Sequence, residues 1–327
     1  MLRPTCAVGC FAVHCALLLA AGCDEPAPKS SAGASVSPTT EPQKARTPPT
    51  TKAGPDGRAP EGTQPPTKAG SDGGAALPFD YPNGPTDAKP GQFVLAPTQS
   101  TVEEALEVGA ERQAFIFYAG VLESATATTS VVKSVAGRKS QVPNALVVAI
   151  GPPAPAGVGD ILLTAWASGT GLQRAIVVEG GTPESPSVRY LDMTLDSPSG
   201  WGEKVDQLPK GSFRKLSRPG TPGTTVACQD KKRTTRQIVI GRAESKLLGL
   251  GFAGKLKVFD ATACQALPIE PKVKANEAVR VPVLGAFTAA TVTKTDAAIG
   301  RVWAKYAHGS EQREEAFGVL NVWPGAG

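Results

Sequence analysis

Few residues in this 327-residue chain are of types that could carry a reaction. It has two histidines: His14 in an apolar leader, and His308 in the stretch Ala307-His308-Gly309-Ser310. A Ser–His–Asp catalyst would have to be built around His308, and no Gly-x-Ser-x-Gly elbow is present to supply its serine. No His-x-x-His, no Cys-x-x-Cys and no acidic loop of calcium-ligand spacing accompanies it, so neither a metal nor a cofactor is expected. The glycine cluster Gly169-Thr170-Gly171 lacks the helix and lysine of a phosphate loop. The acids Asp160, Glu179, Asp192 and Asp196 remain. Two of them facing each other across a cleft could hydrolyse a glycosidic bond, at a separation that only the fold sets. That chemistry is the alternative kept for this chain, a cell-wall- or glycan-active enzyme using strand-end carboxylates. No catalytic residue is assigned.

Binding chemistry is better supplied. Lys231, Lys232 and Arg233, with Arg236, occupy an expected hairpin tip, and Lys210, Arg214, Lys215 and Arg218 precede them. Such a run suits an acidic partner or the phosphates of an envelope surface, or serves only to solubilise a turn. It has no interleaved aromatics, which a nucleic-acid surface would want. The formal net charge of +5 is likewise too small for a nucleic-acid footprint at this length.

The six cysteines divide by position. Cys6, Cys10 and Cys15 lie in the leader, Cys23 at its end, and Cys228 and Cys264 in the body. The last two are expected to form a disulfide, against the alternative of two separate buried thiols. Closing that loop would stabilise the fold by roughly 3–4 kcal/mol in the chain-entropy model.

The leader fixes the layout. Met1-Leu2-Arg3 is a short basic start, Ala7 to Ala21 is apolar, and Ala21-Gly22-Cys23 is followed at once by Asp24-Glu25-Pro26. The apolar run is too short for a mature transmembrane helix. It resembles a bacterial lipoprotein signal over residues 1–23, with Ala20 standing where that family most often has Leu. The resemblance implies a diacylglycerol on the Cys23 thiol and cleavage before it. It places the protein on the extracytoplasmic side of a bacterial membrane, held through its lipid anchor. Cleavage near Ala21 without lipidation is the competing expectation. Residues 23–89 are Pro, Thr, Ser, Gly, Ala and Lys with about seven basic and eight acidic side chains. They read as a disordered, near-neutral tether spanning roughly 45 Å.

With 36 glycines, 30 prolines and 6% aromatics, the remainder favours turn-rich β structure. One short helix is expected behind Ser100-Thr101-Val102-Glu103, with Gly109 as its stop. Strands are expected at 91–97, 114–122 and 144–150. Three further blocks of short strands follow, each about 50–60 residues long. The strand ending in Ala165-Trp166, the small-residue strand Arg174-Ala175-Ile176-Val177, and Val188-Arg189-Tyr190-Leu191-Asp192 resemble Tudor- and Agenet-like barrels. The match is clearest over 157–197 and 276–308.

The expected fold is therefore mainly β: tandem small five-stranded Tudor-like (Src-homology-type) barrels after a disordered linker. The boundaries are 1–22 signal, 23–89 tether, 90–155 β-rich module with one helix, and barrels at 156–218, 219–271 and 272–327. One continuous β domain is the plainer alternative. The Tudor resemblance implies an aromatic cage at a barrel mouth, from Trp166, Tyr190 and Asp192 or from Trp303 and Tyr306. Each cation–π contact there is worth roughly 0.5–2 kcal/mol. The favoured function is a lipid-anchored envelope protein presenting a binding or scaffold surface to an envelope polymer or protein.

Overall fold

The computed structural model describes residues 76–168, 171–197 and 199–325. Cys23, the leader and most of the expected tether lie outside the described residues. The described chain falls within one compact unit, Thr67–Gly327. It is mainly β, with twenty strands, one α-helix and four short 3-10 turns among the described residues. None of its helices is long and apolar enough to cross a membrane.

The strands form four successive groups of five. The first contains β1 (Phe93–Ala96), β2 (Tyr118–Ala125), β3 (Thr129–Ser134), β4 (Lys139–Pro143) and β5 (Val148–Ala149). The second contains β6 (Ile161–Ala165), β7 (Leu172–Thr182), β8 (Ser185–Tyr190), β9 (Val205–Gln207) and β10 (Phe213–Lys215). The third has β11 (Thr225–Asp230), β12 (Arg233–Ala243), β13 (Lys246–Leu250), β14 (Leu256–Asp260) and β15 (Cys264–Ala266). The fourth has β16 (Ala278–Val283), β17 (Ala286–Asp296), β18 (Arg301–His308), β19 (Glu311–Gly318) and β20 (Trp323–Pro324).

Every group runs in the spatial order fifth, first, second, third, fourth, all antiparallel. The third and fourth merge into one ten-stranded sheet where Thr235 of β12 meets Ala286 of β17. A register shift sits at the same place in all four second strands: after Leu122, Val177, Val239 and Val292. Bulges bend a strand and add twist, which lets a long second strand curl over its own group.

Alternation then sorts the side chains. Leu162, Ala175, Val177, Val188 and Tyr190 enclose a small core within the second group, while Ile161, Leu163 and Ile176 face outward. The outward set joins Leu95, Phe115, Phe117, Leu146, Ile238, Ile240 and Leu248 in a core built mainly by the first three groups, with Leu320 of the fourth reaching into it. Strands apolar on both faces are what make this possible. Each fully buried Leu or Ile contributes roughly 1.5–3 kcal/mol. The third and fourth groups have their own cores, around Val226, Val239 and Leu247 and around Val281, Val292 and Ala304.

Several local expectations change. The helix α1 runs Gln99–Val108, capped by Thr98, whose hydroxyl accepts from the Thr101 N–H at 3.2 Å, so the cap lies two residues before the expected Ser100. Gly109 does end it, at φ 93°. The strand expected at 114–122 begins only at Tyr118, because Phe115 and Phe117 are side-chain plugs of the shared core. Asn144–Leu146 is a 3-10 turn ahead of a two-residue strand. The first group is the expected β-rich module with one short helix, and its strand order equals that of the others. Finally, residues 76–89 are not tether. Tyr81 is buried, Asp80 pairs with Lys246, and Asn83 donates to the Thr128 carbonyl at 2.9 Å.

Candidate functional site

The inward rows of each group end at a mouth beside the turn joining its first two strands. Aligning the groups on their bulges shows what stands there. In the second group Ala175 pairs with Tyr190, and Val188 pairs with Asp206. In the fourth, Ala290 pairs with Tyr306, and Ala304 with Glu315. Both tyrosines are buried and close their mouths with an acid of the fourth strand. Tyr190 donates to Asp206 at 3.1 Å and accepts from the Ala167 N–H at 2.8 Å. Tyr306 donates to Glu315 at 2.6 Å. Burial pushes the Tyr190 hydroxyl pKa well up, so it stays a donor. Ser168 and Lys204 add further bonds to Asp206.

The third group departs from this at each point. Ile238 pairs with Leu250, which sets Gln237 opposite Gly251, the position of the tyrosines. Gly249 pairs with Lys257, which replaces the acid. No ring and no carboxylate closes this mouth. A cleft of about 580 Å³ opens there, within the usual range for small-ligand sites. Its lining follows strand alternation: Arg233, Thr235 and Gln237 on β12, Asp230 on β11 and Lys257 on β14. Phe252 and the β16–β17 tip, Leu284 to Ala286, form the other wall.

Its chemistry is amphipathic and cationic. Lys257 pairs with Asp230, whereas Lys231, Lys232 and Arg233 have no side-chain ion pair among the described residues. Phe252 is 56% exposed and Leu284 is 70% exposed. Gln237 is buried; its Nε2 donates to the Thr235 hydroxyl at 3.1 Å, and its Oε1 has no partner among the described residues. A buried acceptor left unpaired costs roughly 1–3 kcal/mol. Gly251 makes room for this amide, because a Cβ there would lie 2.9 Å from Oε1. Both tips hold a non-glycine residue in the left-handed region, Lys231 at φ 55° and Leu284 at φ 47°. Such backbone costs about 1–3 kcal/mol per residue and gathers at functional sites. The Cys228–Cys264 disulfide lies just below, joining first strand to fifth with their Cα atoms 4.0 Å apart.

No protein-family model matches the chain, and no curated protein matches it.

The expected site residues are scattered by the fold. Lys231, Lys232 and Arg233 stand together at the cleft; Arg236 does not join them. Three residues on from Arg233, it points to the opposite face of β12 and enters a buried polar node. There Arg174 donates to both Asp192 oxygens and, at 2.6 Å, to the Thr225 hydroxyl. Arg236 donates to Asp192 at 2.7 Å, and both guanidiniums reach Asn321 Oδ1. Burial alone would raise the Asp192 pKa. The charge and hydrogen bonds of Arg174, then Arg236 and Asn321, overcome it and hold the carboxyl well below its usual range. Burial, with the charge of Arg174, brings Arg236 down to about 10.

The two expected cages are not assembled. Tyr190 is a core plug and Asp192 an ion-pair centre; the ring partner of Trp166 is Trp201, edge-to-face at 5.0 Å, with Lys204 over Trp201. Trp303 and Tyr306, three apart on β18, face opposite ways. Trp303 lies under Lys294, Tyr306 in the core. Of the four candidate carboxylates, Asp192 is committed to the node, Asp160 to the Gly157 N–H and Lys215, and Glu179 and Asp196 are exposed. Arg214, in turn, donates to the Pro222 carbonyl, apart from the cleft. His308 ends β18, in register with Glu311, and no cluster of three metal-binding side chains occurs among the described residues. Sequence reading missed Gln237, Phe252, Lys257 and Leu284. The alternation Leu247-Gly249-Gly251, a row emptied of side chains, was the signal available.

Proposed function

We propose that this is a lipid-anchored cell-envelope protein whose tandem Tudor-like barrels present a binding surface, with the open third mouth as the place of contact for an anionic envelope polymer or protein. The observation that carries the reading is that mouth: three unpaired cations around an orphaned acceptor, where two sister groups carry a tyrosine and an acid. The shared strand order supports the barrel assignment. A charge-lined concave site with apolar walls attracts and orients an anion without needing reactive groups. The lipid on Cys23 follows from the leader's resemblance to lipoprotein signals, and would keep this surface on the extracytoplasmic side.

Two measurements test the proposal. Co-sedimentation of the full chain with an isolated anionic cell-wall polymer should be retained at low salt and fall about tenfold or more in Lys231→Ala/Lys232→Ala/Arg233→Ala. Equal retention of wild type and variant would refute the site. A fatty-acid analogue fed to expressing cells should label the wild type and not Cys23→Ala; label on the variant would refute the anchor.

A further inference from the structure

The third mouth carries more than positive charge, and the surplus narrows what it accepts. A polyanion read by charge alone needs the three cations of the rim and nothing else. Here the rim continues into an apolar wall, Phe252 and Leu284, and onto a floor where Gln237 carries a buried acceptor with no partner among the described residues. Water or a ligand donor must satisfy that oxygen if its desolvation is to be offset. We propose, building on the binding role above, that the cleft receives the carboxylate end of a peptide. The carboxylate would meet Lys231, Lys232 and Arg233, the amide N–H would donate to Gln237 Oε1, and an apolar side chain would lie against Phe252 and Leu284. A peptide end carries these three groups within a few bonds. Inorganic phosphate carries no apolar part, and an aliphatic acid has no amide N–H.

In this arrangement Gln237 is the residue that reads the ligand. The sister groups hold Ala175 and Ala290 at its position, which leaves space for their tyrosines. Exchanging alanine for glutamine and tyrosine for glycine turns a plugged mouth into a receiving one. Exchanging the fourth-strand acid for Lys257 puts a cation there, paired with Asp230 of β11.

The test is calorimetric titration of the full chain with four probes: acetyl-Ala-Ala-Leu as the free acid, the same peptide amidated, 4-methylpentanoate, and inorganic phosphate. The free acid should bind at least tenfold more tightly than each of the others. Gln237→Leu should weaken it about tenfold, one hydrogen bond's worth, without lowering the melting temperature. Gln237→Ala/Gly251→Tyr/Lys257→Glu, which rebuilds the plug of the sister groups, should abolish binding in a folded protein. If phosphate or 4-methylpentanoate binds as well as the peptide, or Gln237→Leu binds it unchanged, the peptide assignment is overturned while the cationic site stands. If the wild type takes none of the four, the peptide assignment falls, and the polymer assay above decides separately whether the site itself survives.

Discussion

The second and third mouths are built on the same strand order and the same bulge, yet one is shut and the other open. In the second, Tyr190 fills the space and Asp206 gathers its hydroxyl, Ser168 and Lys204. In the third, Gly251 and Lys257 take those places, and the charges left at the rim bond to nothing described. The difference teaches where polar groups stabilise and where they are held in reserve. In the second group they are satisfied within the fold, so removing one should cost stability. In the third they are unspent, so removing them should cost binding alone.

The strongest test of the satisfied half is Asp192. Asp192→Ala leaves Arg174 and Arg236 buried without their counter-charge, and a loss of roughly 3–5 kcal/mol is expected in urea unfolding. The same carboxyl sets an acid limit. Its folded pKa lies below its ordinary 3.8, so its stabilisation is complete above that pH and is lost as the pH falls further through the folded value. Melting curves of the wild type should drop below about pH 4. In Asp192→Asn that share of the drop should be absent, and an unchanged profile would contradict the assignment. Next in size, Cys228→Ser/Cys264→Ser should cost about 3–4 kcal/mol, because the bridge closes the third group's seam. Tyr190→Phe should cost about 1 kcal/mol or somewhat more by removing the hydroxyl's bonds to Asp206 and to the Ala167 N–H. The smallest effect belongs to Lys231→Ala/Lys232→Ala/Arg233→Ala, expected within about 0.5 kcal/mol of wild type. A large loss there would break the contrast between the mouths.

Much of this was readable from residue order. The apolar strands at 161–166 and 225–228, the helix with its Gly109 stop, the disulfide pair and the cationic tip all follow from local chemistry. Strand parity alone also separates Arg233 from Arg236, and Trp303 from Tyr306. Other features depend on register across distant residues. Nothing near Tyr190 says that its partner is Asp206, or that Asp192 will meet Arg236 from another group. The β3–β4 hairpin escaped because Thr129–Ser134 and Lys139–Pro143 are too polar to stand out as strands. The open mouth shows only in the alignment of the groups on their bulges, where Gly251 falls at the position of Tyr190 and Tyr306.

In this account the third mouth is open to an anion while the second and fourth are plugged by Tyr190 and Tyr306. Amide chemical shifts of the full chain, followed while acetyl-Ala-Ala-Leu is titrated in, test it most directly. The account predicts shifts confined to 230–237, 249–257 and 284–286, with Tyr190 and Asp206 unmoved. Shifts centred on the second mouth, or spread evenly over the surface cations, would contradict it.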